Sequence, residues 1–216
     1  MNSFGKLCAA SIMGVFLFAG SGFASDTIKI GVAGPHSGDL ASYGLPTVKA
    51  AELVAKEVNA NGGLLGKQIE LLIEDDVCKP EVATNTATKL VSEGAQVVLG
   101  HICSGATKAA MGIYKDSGVI VMSPSATNPD LTQSGDYPNF YRTIASDDAQ
   151  AKLDVDFAID VLKVKTVAVI HDKGDYGKGF AEFAKKFIEE DGRAEVLLFE
   201  GVTPGAVDYS AVVQKI

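Results

Sequence analysis

Two short stretches of the 216-residue chain carry side chains whose types and spacing suit ligand chemistry. The first is Val97-Val98-Leu99-Gly100-His101-Ile102-Cys103-Ser104-Gly105-Ala106-Thr107, and the second is Val119-Ile120-Val121-Met122-Ser123-Pro124-Ser125-Ala126-Thr127. Each is an apolar run that breaks into small, hydroxyl-bearing residues and then opens a helix. In an α/β sheet both runs would end as neighbouring parallel strands, at the carboxyl edge where such folds hold ligands. Free backbone N–H groups at helix starts, with Ser and Thr hydroxyls beside them, make an uncharged site for an anionic group such as a carboxylate. These segments supply no Lys or Arg before Lys108.

Other chemistries find less support. His101 and His171 lack a nearby Cys or His at ligand spacing, which argues against a metal site. No G-x-G-x-x-G joins a strand to a helix, so a dinucleotide fingerprint is missing. The serines lack a G-x-S-x-G elbow and no base is placed for them, so an α/β hydrolase or amidase is a remote alternative. No cofactor is expected.

The elements that must position these residues begin after a leader. Residues 1–24 read as a secretory signal: Lys6 gives a positive start, Leu7 to Phe18 an apolar run, and Gly22-Phe23-Ala24 a small-residue cleavage site after Ala24. The apolar run is shorter than the roughly 20 residues of a spanning helix. Cleavage removes Lys6 and no acid, leaving 18 basic against 27 acidic residues, a net charge of −9. Such a protein is a poor partner for nucleic acid or an anionic membrane. Two cysteines remain, Cys78 and Cys103, and an even pair in an oxidising compartment points to a disulfide, with two free thiols as the alternative. Each follows a strand end, so neighbouring strands would bring them together.

From Thr27 onward, strand-like and helix-like segments alternate. Strands are expected at 27–33, 68–74, 96–100 and 119–122, with helices at 44–61, 80–93 and 104–116 between and after them. Asn61-Gly62-Gly63 reads as a helix stop. A further strand at 139–144 leads to a helix from a Ser146-Asp147-Asp148 cap to about Leu162. The rhythm restarts with strand 166–171, helix 176–191, strand 194–200 and a helix near Asp208. This alternation favours doubly wound parallel sheets. The crossing at 144–149 divides a first lobe, residues 25–145, from a second, residues 146–216. The second has two strands and under three helices, too little for its own core, so a truncated version of a longer protein is expected.

Ordered along the chain, I-K-I-G-V-A-G-P-H-S-G, A-S-Y-G, N-A-N-G-G-L-L-G-K, E-D-D-V-C, G-H-I-C-S-G-A-T, S-P-S-A-T-N-P-D-L-T, Y-R-T and H-D-K-G-D-Y-G-K-G carry a resemblance. The chain resembles the type I periplasmic solute-binding proteins for branched-chain amino acids, the leucine/isoleucine/valine receptors of ABC importers. The resemblance implies an α/β fold of two lobes closing over one free amino acid, delivery to an ABC permease in the inner membrane, periplasmic location and a monomer. Ser104 would donate its hydroxyl to the ligand head group, and Thr127 its hydroxyl and N–H to the carboxylate. Ser125 would offer its carbonyl to the ammonium, and Tyr43 and Tyr176 would wall the side chain from opposite lobes. Cys103, beside Ser104, belongs to the same set, and its disulfide with Cys78 would anchor that loop. The acidic second-lobe partner of the ammonium in relatives would fall beyond Ile216. Receptors of this layout also take amides, urea or other amino acids, which keeps another small polar solute as the alternative ligand.

Overall fold

The computed structural model describes residues 27–216; the expected signal segment lies outside them. Five parallel strands form the first sheet in the order β2-β1-β3-β4-β5. They are β1 (Ile28–Gly34), β2 (Ile69–Asp75), β3 (Val97–Leu99), β4 (Ile120–Ser123) and β5 (Phe140–Arg142). Crossover helices α1 (Ala41–Ala60), α2 (Pro80–Ser92) and α3 (Ser104–Asp116) link the first four strands, and the short α4 (Asp130–Gln133) precedes β5.

Helices α2 and α3 cover one face. Ala83, Ala87, Leu90, Ala106, Ala110, Met111 and Tyr114 pack there on Val98, Val121 and Phe140. Alanines at the contact let the two helices lie close, while fully buried Leu90 and Met111 each contribute about 1.5–3 kcal/mol. On the other face α1 sets Val48 and Ala51 against Val32, Leu71 and Leu99. That cover is thinner. In β4, Val121 and Ser123 point into the packed face, while Ile120 and Met122 alternate outward and stay partly exposed.

A second, two-stranded parallel sheet pairs β6 (Thr166–His171) with β7 (Glu195–Gly201). Helix α5 (Asp147–Asp156), prolonged by a π turn over Phe157–Val161, and α6 (Asp175–Asp191) pack on it. Val155, Ile159 and Ile188 meet Val167, Val169 and Val196 there. The outer side of α6 carries Lys178–Glu182, Lys185–Glu189 and Lys186–Glu190 pairs, each four residues apart. Such exposed pairs contribute only about 0.3–0.5 kcal/mol each, so α6 is held by its apolar face. The last element is α7 (Ser210–Val213). No helix among the described residues is long and apolar enough to cross a membrane.

Three expectations need correction. The segment after β4 does not open a helix: Ser123 through Pro129 is an irregular loop, and α4 begins only at Asp130. Pro124 and Pro129 remove two backbone donors, and the Ser123 hydroxyl accepts the Ser125 and Ala126 N–H groups at 3.2 and 2.8 Å, closing a side-chain turn instead. Ser146 occupies the N-cap position of α5 but makes no side-chain cap bond; its hydroxyl donates to the Asp148 carboxylate. Finally, β2 and β3 are not neighbours, because β1 lies between them.

The disulfide nonetheless forms. The loop after β2 folds over the end of β1, with the Asp76 N–H donating to Gly34 O at 3.0 Å, and this carries Cys78 to Cys103 with Cα atoms 5.5 Å apart. For a sequence separation of 25 residues chain entropy gives a stabilisation of about 3 kcal/mol. Reduction should therefore lower the melting temperature by about 6–12 °C in a scan with and without reductant; an unchanged melting temperature would show that the bridge does not brace the fold.

Candidate functional site

Strands β3 and β4 run side by side, with Leu99 opposite Met122. Both end at one edge, and the two loops that leave them are tied together. The buried Ser123 hydroxyl donates to His101 O at 2.5 Å. The Asn128 N–H donates to Ser104 Oγ at 3.2 Å, which leaves the Ser104 hydroxyl proton free. Ser104 and Thr127 are thus both buried, at 3 % and 7 % exposure, on adjoining loops at one sheet edge.

Helix α3 begins at Ser104, and its first intrahelical bond runs from the Thr107 N–H to Cys103 O. The N–H groups of Ser104, Gly105 and Ala106 therefore precede the helical bonding pattern and remain available as donors. The Thr127 N–H has no acceptor among the described residues. Lys108, the first basic residue of the segment, is turned to Asp130 at 2.9 Å. The donors converging here are neutral, supplemented by the partial positive charge of the helix start.

A buried column stands behind this edge. His101 bonds Asp76 Oδ2 through Nδ1 at 2.5 Å and the Tyr114 hydroxyl through Nε2 at 3.0 Å, and all three are fully buried. The other Asp76 oxygen accepts the Cys78 N–H at 2.8 Å, so one carboxylate positions both the disulfide loop and His101. Burial, reinforced by Asp76, pushes the Tyr114 phenol well above its ordinary range and keeps it protonated. Gly100 is needed at the turn: its φ is +131°, and a Cβ there would stand 2.0 Å from Ala33 O.

The second loop is clamped from β5. One guanidinium nitrogen of Arg142 donates to Thr127 O at 2.8 Å and to Asn128 O at 2.9 Å, and the other reaches the Thr132 hydroxyl. The Asp147 N–H also donates to Thr127 O, at 3.0 Å. Thr127 is thereby fixed by its carbonyl, its N–H is left for other partners, and its hydroxyl lies beside the Asp147 carboxylate. Burial holds the Arg142 guanidinium below its usual pKa, partly offset by Asp147 and Asp148.

Of the residues expected at the site, Ser104, Ser125, Thr127 and Cys103 share this edge. Ser125 is half-buried, with its N–H on Ser123 Oγ. The Cys103 sulfur is committed to Cys78, and the residue is the N-cap of α3. Tyr43 in the first turn of α1 and Tyr176 in the first turn of α6 are 64 % and 48 % exposed. Burial raises the Tyr176 phenol, and the charges of Asp147 and Tyr43 raise it further, which places the three within electrostatic reach. The two sheet units touch beside Ser104. Asn128 Nδ2 donates to Asp175 O at 3.1 Å, and a Cβ at Gly105 would stand 2.8 Å from an Asp175 carboxylate oxygen.

Sequence reasoning had assigned no site role to Ser123, Asn128, Arg142 or Asp147. Arg142 and Asn128 lay within motif strings, and Asp147 was read only as a helix-capping residue. His171 ends β6 with its ring 5.1 Å from Phe199, and its Nδ1 accepts the Lys173 N–H at 3.0 Å. No group of three or more His, Cys, Asp or Glu side chains suited to a metal ion occurs among the described residues.

Known proteins resemble this chain in sequence and fold. A leucine-, isoleucine-, valine-, threonine- and alanine-binding protein of Pseudomonas aeruginosa is 41% identical over 204 residues, covering 94% of this chain and 54% of that protein. The crystal structure of the branched-chain amino acid transporter substrate-binding protein LivJ from Streptococcus pneumoniae, in complex with isoleucine, is 34% identical with a TM-score of 0.75, over 88% of this chain and 53% of that one. An ABC-transporter solute-binding protein of R. palustris in complex with benzoate is 26% identical with a TM-score of 0.77, over 88% of this chain and 52% of its own. The chain spans about half the length of the curated relatives it matches. The match to the periplasmic binding protein family itself runs over residues 27–216, and this chain belongs to that family.

Proposed function

We propose that the chain acts as an exported, non-catalytic receptor that binds a free branched-chain amino acid between two lobes and delivers it to an ABC-type permease. The observation that carries this reading is the set of neutral donors at the ends of β3 and β4. Ser104 Oγ, the N–H groups opening α3, and the hydroxyl and N–H of Thr127 match the needs of a carboxylate. Each hydrogen bond to a charged ligand group contributes about 1.5–3 kcal/mol.

In this reading residues 25–145 form the first lobe and 146–216 belong to the second, with residues 1–24 removed after Ala24 on export. Ser125 offers its carbonyl to the ligand ammonium, and Tyr43 and Tyr176 line the aliphatic side chain. Aromatic walls suit such a ligand, because apolar burial contributes about 25 cal/mol per Å². Names of relatives support the ligand class: the Pseudomonas protein is called a leucine-, isoleucine-, valine-, threonine- and alanine-binding protein, and the LivJ structure holds isoleucine. Hydrolysis is disfavoured, since both ring nitrogens of His101 are engaged inside the fold and none serves the Ser104 hydroxyl.

Leucine, isoleucine or valine should raise the melting temperature of the protein, while amides and esters incubated with it should stay intact. Product release from an amide or ester would contradict a receptor. Thr127→Val keeps the shape and removes the hydroxyl; titration calorimetry should show leucine binding weakened by at least about tenfold. Affinity equal to wild type would remove Thr127 from the site.

A further inference from the structure

The loop that carries the first cysteine is built against its own backbone preference. Val77 and Cys78 stand in the left-handed region, with φ of +45° and +56°. That conformation is costly for any residue with a Cβ, and most of all for a β-branched valine. Two adjacent aspartates hold it. Asp75 Oδ1 accepts the Val77 N–H at 2.9 Å, and Asp76 Oδ1 accepts the Cys78 N–H at 2.8 Å, each two residues on. The bridge from Cys78 to Cys103 closes the loop at its far end.

The second oxygen of the fully buried Asp76 lies on His101 Nδ1 at 2.5 Å. Asp76 accepts and the protonated Tyr114 phenol donates, which sets the ring proton on Nδ1 and leaves Nε2 as the acceptor. His101 in turn organises both candidate ligand loops through its carbonyl. His101 O accepts the Ser123 hydroxyl at 2.5 Å and the Thr107 hydroxyl at 3.3 Å. Ser123 Oγ then accepts the N–H groups of Ser125 and Ala126, which set the turn before Thr127. On the other side, Cys103 is the N-cap of α3 and directly precedes Ser104. Bridge and carboxylate therefore reach the same donors by two routes that start from one strained loop.

Resting on the receptor reading above, we propose that Asp76 is a positioning residue for ligand binding. It couples the disulfide to the donors at Ser104 and Thr127 through the ring of His101, so that leucine affinity depends on the redox state of Cys78 and Cys103. With the bridge intact, Asp76 is held at both oxygens and the donors are ordered before the ligand arrives. A dithiol reductant passes two electrons and two protons to the bridge, leaving two thiols on the protein and a disulfide on itself. The Val77-Cys78 segment is then free to leave the left-handed region, and Asp76 loses the Cys78 N–H that steadies it against His101. Binding weakens because loosened donors must be gathered again by the ligand.

The test measures leucine affinity by calorimetry on the full chain, oxidised and after dithiothreitol, at a temperature where circular dichroism shows both forms folded. Reduction should weaken leucine binding by at least about fivefold, and the downfield Nδ1 proton resonance of His101 should move with it. Asp76→Asn keeps the shape and an acceptor for the Cys78 N–H but presents an amide to His101. D76N should bind leucine at least about fivefold more weakly with its bridge intact, and reduction should then weaken it little further, because both changes act through one residue. Ile188→Val loosens the core of the second sheet, away from this path, and should keep wild-type affinity. A matching loss in Ile188→Val would assign the effect to stability and overturn the proposal. Equal affinity in oxidised and reduced wild type also overturns it, as do losses from D76N and from reduction that simply multiply. All three outcomes leave the receptor reading intact, whereas oxidised wild type that binds no leucine overturns both. Should D76N fail to fold, the unaltered protein decides: a His101 resonance that stays in place on reduction overturns the coupling.

Discussion

A carboxylate can be held without a fixed cation only if several neutral N–H and O–H donors already point at one place. Each bond is modest, and the entropy of gathering loose donors would consume much of the gain. The structure around the ends of β3 and β4 answers that constraint. The disulfide and the Asp76–His101–Tyr114 column fix the loop that launches α3. Ser123 ties that loop to the next, and Arg142 clamps the second loop through its carbonyls, not through its donors. The donors left over are those at the helix start and on Thr127.

Placing the charges this way has a consequence for ligand class. Neutral donors can accept many small carboxylates, and of two related structures one holds isoleucine and the other benzoate. Discrimination must then come from the rest of the ligand. A ligand that leaves a buried polar group unmatched is rejected strongly, because that group keeps its desolvation cost. Aliphatic side chains are separated more weakly, since one methylene is worth only about 1–3 kcal/mol. The hydrogen bond from Asn128 Nδ2 to Asp175 O brings the two sheet units together beside the donors.

Much of the fold was legible because apolar periodicity and helix stops are local signals. Helix α3 at Ser104–Asp116 and strand β6 at Thr166–His171 have the bounds expected, and most other elements lie within three residues of theirs. Strand order was not legible: β1 separates β2 from β3, and the disulfide closes only because the β2–α2 loop crosses over it. The Ser123–Pro129 loop was misread as a helix start because a serine that caps a helix and one that closes a turn look alike in sequence. Ser104 and Thr127 stood out by type and position, and the structure sets both, buried, at the adjoining ends of β3 and β4. Arg142 and Asp147 were not, since nothing local tells which way a side chain leaves a three-residue strand, or that one of two adjacent aspartates is sealed from water.

The most direct test is a crystal structure of the protein grown with leucine. The ligand carboxylate should lie within hydrogen-bonding distance of Ser104 Oγ and of the Thr127 hydroxyl and N–H, with no Lys or Arg side chain touching it. Leucine held by a Lys or Arg side chain, or bound away from the ends of β3 and β4, would contradict the account.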